Sequence, residues 1–274
     1  MKLKLALPLG MSALAFTAYA VAHQSREVAA TFHSVALKGA VHATVVLPPG
    51  YETSGRRYPV VYFLHGLPAT PTAYQGVGWL EDALAKVGRP AILVQPQGAR
   101  HGDPDPEYLD WGPGRNWETY VARELPNYVD AHFRTIRARN GRALVGLSAG
   151  GYGAVALGFQ HVDRFAVIES WSGYFHATDP SGLKALAVPA RTNVHTLIRD
   201  FGAYQRRNPT FFAFYVGRGD DRFRDENEQL DRELDAAHVL HVFQVYPGAH
   251  EAAVWRKHAP AWLGLALRHL APAG

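Results

Sequence analysis

Short runs of apolar and β-branched residues recur along this chain, each followed by a longer amphipathic stretch, and few architectures accept that order. The runs fall at 41–47, 58–64, 91–94, 143–147, 165–169, 211–216 and 241–246. The first alternates and stops at Pro48-Pro49-Gly50, residues that cannot continue a ladder, whereas 58–64 (YPVVYFL) is apolar nearly throughout, as in a strand buried on both faces. Helix-compatible stretches lie between them at 79–87, 117–132, 149–160 and 227–237, and 252–270 supplies a last helix. Strands alternating with helices predict an α/β fold: a mostly parallel central sheet with helices on both faces. Residues 174–209 lack clear strands and read as a cap or loop insertion in a single domain over 23–274.

The first residues read differently. Lys2 and Lys4 precede an apolar stretch over 5–22 that closes on Ala18, Ala20 and Ala22, the pattern of a secretory signal peptide over 1–22. An uncleaved N-terminal membrane anchor is the alternative. The expectation is a secreted or extracytoplasmic protein with no stable membrane insertion once the leader is removed. The formal charge of +4 is modest, and the basic residues, mostly Arg, lie scattered, which argues against a nucleic-acid partner. With no cysteine there is no disulfide, no thiolate metal site and no thiol nucleophile, so any nucleophile is an oxygen or an amine.

Gly146-Leu147-Ser148-Ala149-Gly150 is a GxSxG sequence in an informative setting. It follows the apolar run 143–147 and opens the helix-compatible stretch 149–160, the strand–turn–helix context of a nucleophile elbow. Such a turn strains the Ser backbone and leaves no room for side chains two positions away, hence the glycines. It also sets the Ser148 hydroxyl at a helix N-terminus, with the Ala149 N–H free to face an oxyanion. The plainer reading is a turn in which Ser148 only caps the helix.

A Ser hydroxyl attacks only when an imidazole takes its proton, and an acid must orient that imidazole. Among fourteen histidines, His250 follows the last strand-like run and the turn Pro247-Gly248-Ala249, where a base belongs in this kind of fold. The acid is expected after the run 211–216, within Gly217-Arg218-Gly219-Asp220-Asp221. Asp220 is the first choice and Asp221 its rival, with Glu226 and Glu228 less suited because a helix would carry them away from the loop tip. A second oxyanion donor is expected from His65-Gly66-Leu67-Pro68, with the Leu67 N–H as candidate and His65 as loop support. His250-Glu251-Ala252-Ala253-Val254 lacks the second His of a zinc helix, and there is no GxGxxG or phosphate loop, so no metal or cofactor is expected.

Trp79, Trp111, Trp117, Trp171 and Trp255 are pocket or core candidates, with Trp79 and Trp171 favoured as substrate-binding because each follows a strand end. Asp103, Asp105 and Glu107 read as a solvated acidic loop, with calcium binding as the rival.

Taken together, YFLHGL at 62–67, NWETYVARELPNYV at 116–129, GLSAGGYGA at 146–154, Ser172-Gly173, GRGD at 217–220 and YPGAHEAAVW at 246–255 resemble the esterase branch of the α/β-hydrolases. That branch includes S-formylglutathione hydrolases, feruloyl and enterobactin esterases and the secreted mycolyltransferases of mycobacteria. Tyr108-Leu109-Asp110-Trp111 ahead of Asn116-Trp117-Glu118 looks most like the mycolyltransferases, but His65 stands where they have an acidic residue and Asp220 where they have Glu. The resemblance implies an α/β-hydrolase fold with Ser148, Asp220 and His250 as a triad. The expected activity is hydrolysis of a small-molecule carboxylic ester. The alternatives are transfer of the acyl group from an acyl donor to a sugar or other alcohol, and an inactive matrix- or carbohydrate-binding homologue.

Overall fold

The computed structural model describes residues 25–67, 69–104, 107–179 and 184–274. The leader expected at 1–22, together with Pro68 and Asp105, lies outside the described residues. Among those described, no helix is long and apolar enough to cross a membrane.

Eight strands form one sheet in the order β1-β2-β4-β3-β5-β6-β7-β8. They are β1 Arg26–Ser34, β2 Gly39–Leu47, β3 Val60–Leu64, β4 Ile92–Pro96, β5 Arg142–Leu147, β6 Val167–Trp171, β7 Phe211–Gly217 and β8 Val242–Tyr246. β1 and β2 are antiparallel to their neighbours, and β4, β3, β5, β6, β7 and β8 run parallel. Parallel neighbours require crossovers, and the helix-compatible stretches supply them. These are α1 Gly78–Val87, α2 over 117–132, α3 Ala149–Gln160, α4 Val194–Gln205 and α5 Arg224–Ala236, followed by a terminal α6 Ala252–Arg268. Within α2, Tyr120–Glu124 takes a π-helical turn.

Alternate residues of each central strand serve different layers. Val61 and Phe63 of β3 face α1 and α6 through Leu80, Val254, Trp262 and Leu263. Tyr62 and Leu64 face α2 and α3 through Trp117, Tyr120, Ala154 and Leu157, and a third apolar cluster joins α3 to α4 and α5. All of β3 is buried, and each such side chain contributes about 1.5–3 kcal/mol. This is the α/β-hydrolase fold, and it brings the carboxyl ends of β3, β5, β6, β7 and β8 to one edge of the sheet.

Two features differ from the sequence reading. β1 carries Ala and Ser at its fully buried positions, Ala30 and Ser34, so its alternation shows little contrast in the sequence. The stretch 174–209 is not wholly an insertion: Val194, Ile198 and Phe201 bury α4 in the third cluster, as the crossover between parallel β6 and β7 requires.

β8, one of the two edge strands, hydrogen-bonds only to β7 within the sheet, and none of its residues is fully buried. Beyond β7, the interior strand β6 holds Glu169 fully buried, with Oε2 accepting the Trp171 indole N–H at 3.2 Å. Burial holds this carboxyl well above its ordinary range.

Candidate active site

Ser148 stands between β5 and α3 with φ 53° and ψ −123°, a strained conformation for a residue with a side chain. Its N–H donates to the Trp171 carbonyl and its carbonyl accepts the Tyr152 N–H, both at 3.0 Å, so the turn is tied to β6 and α3. The turn is so tight that a Cβ on Gly146 would collide with the Gly150 carbonyl, and a Cβ on Gly150 with the Leu64 carbonyl of β3. The hydroxyl is held 2.9 Å from His250 Nε2.

His250 follows β8, and Asp220 follows β7. Their loops dock through backbone: the Gly219 N–H donates to the Gly248 carbonyl at 2.8 Å and the Arg218 N–H to the Tyr246 carbonyl at 2.7 Å. A Cβ on Gly217 would stand 2.7 Å from the Gly248 carbonyl, which explains the glycines of the GRGD segment. His250 Nδ1 then lies 2.7 Å from Asp220 Oδ2, and Asp220 Oδ1 accepts the Phe223 N–H at 3.3 Å. These contacts are satisfied together when Nδ1–H donates to the carboxylate and the Ser148 hydroxyl donates to Nε2.

Asp220 is 1% exposed, whereas the rival Asp221 is solvent-exposed. Glu226 pairs instead with His176 and His195, and Glu228 approaches Arg224. The structure thus brings Ser148, His250 and Asp220 into one hydrogen-bonded line and leaves the other carboxylates outside it.

The other candidates divide. A Cβ on Gly66 would stand 2.9 Å from Ser148 Cβ, so the backbone leading into Leu67 runs against the nucleophile. The Ala149 N–H opens α3, where helix geometry provides no internal acceptor. His65 is buried, with Nδ1 3.0 Å from the Gly66 carbonyl. Burial lowers its affinity for a proton, and the bond to Gly66 offsets this only in part. Its own carbonyl accepts the Tyr108 hydroxyl at 2.8 Å, whereas Nε2 is buried with no hydrogen-bond partner among the described residues.

Trp79 is half-buried, edge-on to Phe63 and Trp171. Trp171 corrects the sequence reading. It is fully buried between Phe63, Trp79 and Tyr215, because a side chain at the last position of an interior strand still points into a covering layer. It offers a substrate no surface. Trp117 is also core, donating to Asp103 at 2.7 Å, and Trp111 is partly exposed beneath Arg115.

The acidic loop is a second correction: Asp103 and Glu107 are buried. Burial favours the neutral form of Asp103, but hydrogen bonds from Arg115 and Trp117 outweigh it and hold the carboxyl below its ordinary range. Glu107 accepts from the Tyr174 hydroxyl at 2.7 Å and from Thr178, tying this loop to the one after β6. Among the described residues, no group of three or more His, Asp or Glu side chains is arranged to hold a metal ion.

Two rings beside His250 carry more weight than the sequence suggested. Phe223 and Trp255 lie edge-to-face on the imidazole at centroid distances of 5.1 and 5.0 Å. Trp255 is one of six tryptophans in the chain, and nothing in the local sequence marks Phe223.

Comparisons with known proteins agree with this architecture. The chain is 38% identical over 132 residues to Esterase MT1326 of Mycobacterium tuberculosis (strain CDC 1551 / Oshkosh), a match covering 47% of this chain and 28% of that protein. It is 29% identical over 161 residues to the MPT51/MPB51 antigen of Mycobacterium bovis, covering 55% of this chain and 51% of the antigen. The chain therefore spans about a quarter to a half of the length of these relatives. In structure it resembles a ferulic acid esterase, with a TM-score of 0.76 and 24% identity over 90% of this chain and 99% of the other. It also resembles an S-formylglutathione hydrolase from Agrobacterium tumefaciens, with a TM-score of 0.75 and 18% identity over 91% and 97%. A sequence model of the family described as "Putative esterase" matches residues 34–264. The elbow and both loops that meet it lie inside that match, and the chain belongs to this esterase family of α/β-hydrolases.

Proposed function

We propose that this protein is a serine hydrolase that cleaves carboxylic esters through an acyl-Ser148 intermediate. The observation that carries the reading is the pair of hydrogen bonds through His250, 2.9 Å to Ser148 Oγ and 2.7 Å to the buried Asp220. Ser148 Oγ forms a bond to the ester carbonyl carbon while its proton passes to His250 Nε2, and the carbonyl electron pair moves onto oxygen. The N–H groups of Leu67 and Ala149 stabilise that oxyanion, each by a few kcal/mol, on the order of 2.7–4. Collapse breaks the carbon–alkoxide bond, and His250 Nε2 returns the proton to the departing alcohol. Water then repeats the sequence, giving its proton to Nε2, and collapse releases the acid and restores the Ser148 hydroxyl. Asp220 keeps the imidazole in the tautomer that can accept at Nε2 and stabilises its charged form.

An alcohol that replaces water in the second half turns the same acyl-enzyme into a transferase, so the assay is run with and without a sugar alcohol. Trp79 supports a wall of the acyl site, since its ring is half-buried against Phe63 on the sheet edge that carries Ser148. The lysine-led apolar leader supports export, and N-terminal sequencing of the mature protein reads whether it is cleaved after Ala22.

The deciding experiment treats the native protein with a fluorophosphonate and locates the added mass. The expected site is Ser148, with Ser148→Ala losing both the label and ester turnover. A protein that hydrolyses esters equally well as Ser148→Ala sinks the reading.

A further inference from the structure

His250 faces a demand that its two hydrogen bonds do not meet alone. Both lie in the plane of the imidazole, at Nδ1 and Nε2, so rotation about the Cβ–Cγ bond breaks both. On the acyl-serine reading, the Nε2 bond disappears midway: once acylated, Ser148 Oγ is an ester oxygen with no proton to donate. The ring must then wait for water, tethered only to Asp220.

Two rings flank it at that stage. Phe223 meets His250 at an interplanar angle of 67° and Trp255 at 86°. They come from opposite sides of the sheet: Phe223 belongs to the cluster of α3, α4 and α5, and Trp255 packs on the cluster of α1 and α6. Each is fixed independently of substrate. Phe223 packs on Tyr174, which stacks on Tyr152 of α3 and donates to Glu107. Trp255 lies in the first turn of α6, where the Val254 N–H bonds to the Glu251 carbonyl, and its indole N–H has no hydrogen-bond partner among the described residues. Packing rather than a polar tether therefore places that ring.

We propose that Phe223 and Trp255 are positioning residues that clamp the His250 imidazole in its working plane, and that they matter most for deacylation, when the Ser148 hydrogen bond is absent. Perpendicular aromatic packing suits a group that alternates between neutral and cationic forms, because ring contact fixes its orientation without competing for either ring proton.

The test separates the two half-reactions of the full-length protein. A p-nitrophenyl ester forms the acyl-enzyme, excess ester is removed, and intact mass spectrometry follows loss of the acyl group; release of p-nitrophenol in the first turnover reports acylation. Trp255→Leu and Phe223→Leu are expected to slow deacylation by about tenfold and acylation by less than about threefold, as loss of orientation in one step would. Trp255→Phe, which keeps a ring and removes no hydrogen bond, is expected to restore most of the difference. Either leucine variant alone suffices if the other fails to fold. Equal slowing of both steps, a change confined to KM, or leucine performing as well as the native ring overturns the clamp while leaving the acyl-serine reading intact. If the native protein forms no acyl-enzyme, both inferences fall together.

Discussion

Gly66 meets the nucleophile so closely that an added methyl group would stand 2.8 Å from Leu147 Cδ1 and 2.9 Å from Ser148 Cβ. Gly66→Ala should therefore push the Leu67 N–H off the oxyanion while leaving the ester's contacts elsewhere intact. The expected result is a fall in kcat of about 10²–10³-fold with KM little changed, the loss typical of one oxyanion donor, in a protein whose circular dichroism matches the native one. Asp220→Asn keeps the shape but favours the wrong imidazole tautomer, and steady-state kinetics should show kcat reduced by about 10⁴-fold, whereas Asp221→Asn should leave it within about twofold. At this scale, Ser148 and His250 were legible because local sequence fixes each one: a strand, a glycine-flanked turn and a helix for the first, a strand and a turn for the second. The choice between Asp220 and Asp221 rests on a buried loop docked through Gly248, which no local pattern encodes. Trp171 and the acidic loop misled for a related reason, since burial depends on partners such as Phe63, Arg115 and Tyr174 that are distant in sequence.

Among the elements, the sheet interior was legible because strands buried on both faces are mostly apolar, with few polar exceptions such as Glu169 and Gln95. β1 was not, having Ala30 and Ser34 where larger apolar residues would have marked its inner face. α4 was obscured because its polar face and the irregular stretch before it dilute the pattern. That stretch is fastened by ionisable groups: His176 Nδ1 lies 2.5 Å from Glu226 Oε1 of α5, and His195 of α4 lies 3.3 Å from the same oxygen and 2.5 Å from Glu233 Oε2. The bond to Glu226 raises the proton affinity of His176, and although burial opposes it, the two glutamates raise that of His195 as well. Burial of Glu226 is likewise outweighed by its two histidines, which hold it below its ordinary range. The histidine contribution is present below the ordinary His range and lost as pH rises through the raised values. The glutamate contribution is present above the ordinary Glu range and lost as pH falls through the lowered value. The fastening therefore stabilises between those limits. Glu226→Gln should lower Tm by about 1–3 °C near pH 6, with the difference shrinking near pH 9, read by calorimetry at both.

For the whole molecule, the buried Glu169 adds a pH slope of the same sign as those histidines. Its folded form holds the proton well above the ordinary carboxylate range, so its contribution is fully present below that range and declines as pH rises toward the raised value. Glu169→Gln, nearly identical in shape, should flatten the fall of Tm between about pH 5 and pH 9. A variant as steep as the native protein would show that other groups govern that limb.

The imidazole, meanwhile, hangs from an edge strand with no fully buried residue, while Ser148 rests on an interior one. Fraying at that rim withdraws the proton acceptor while most of the globule stays intact. Catalytic competence should accordingly vanish at a lower urea concentration than backbone ellipticity, making turnover a sensitive gauge of partial opening.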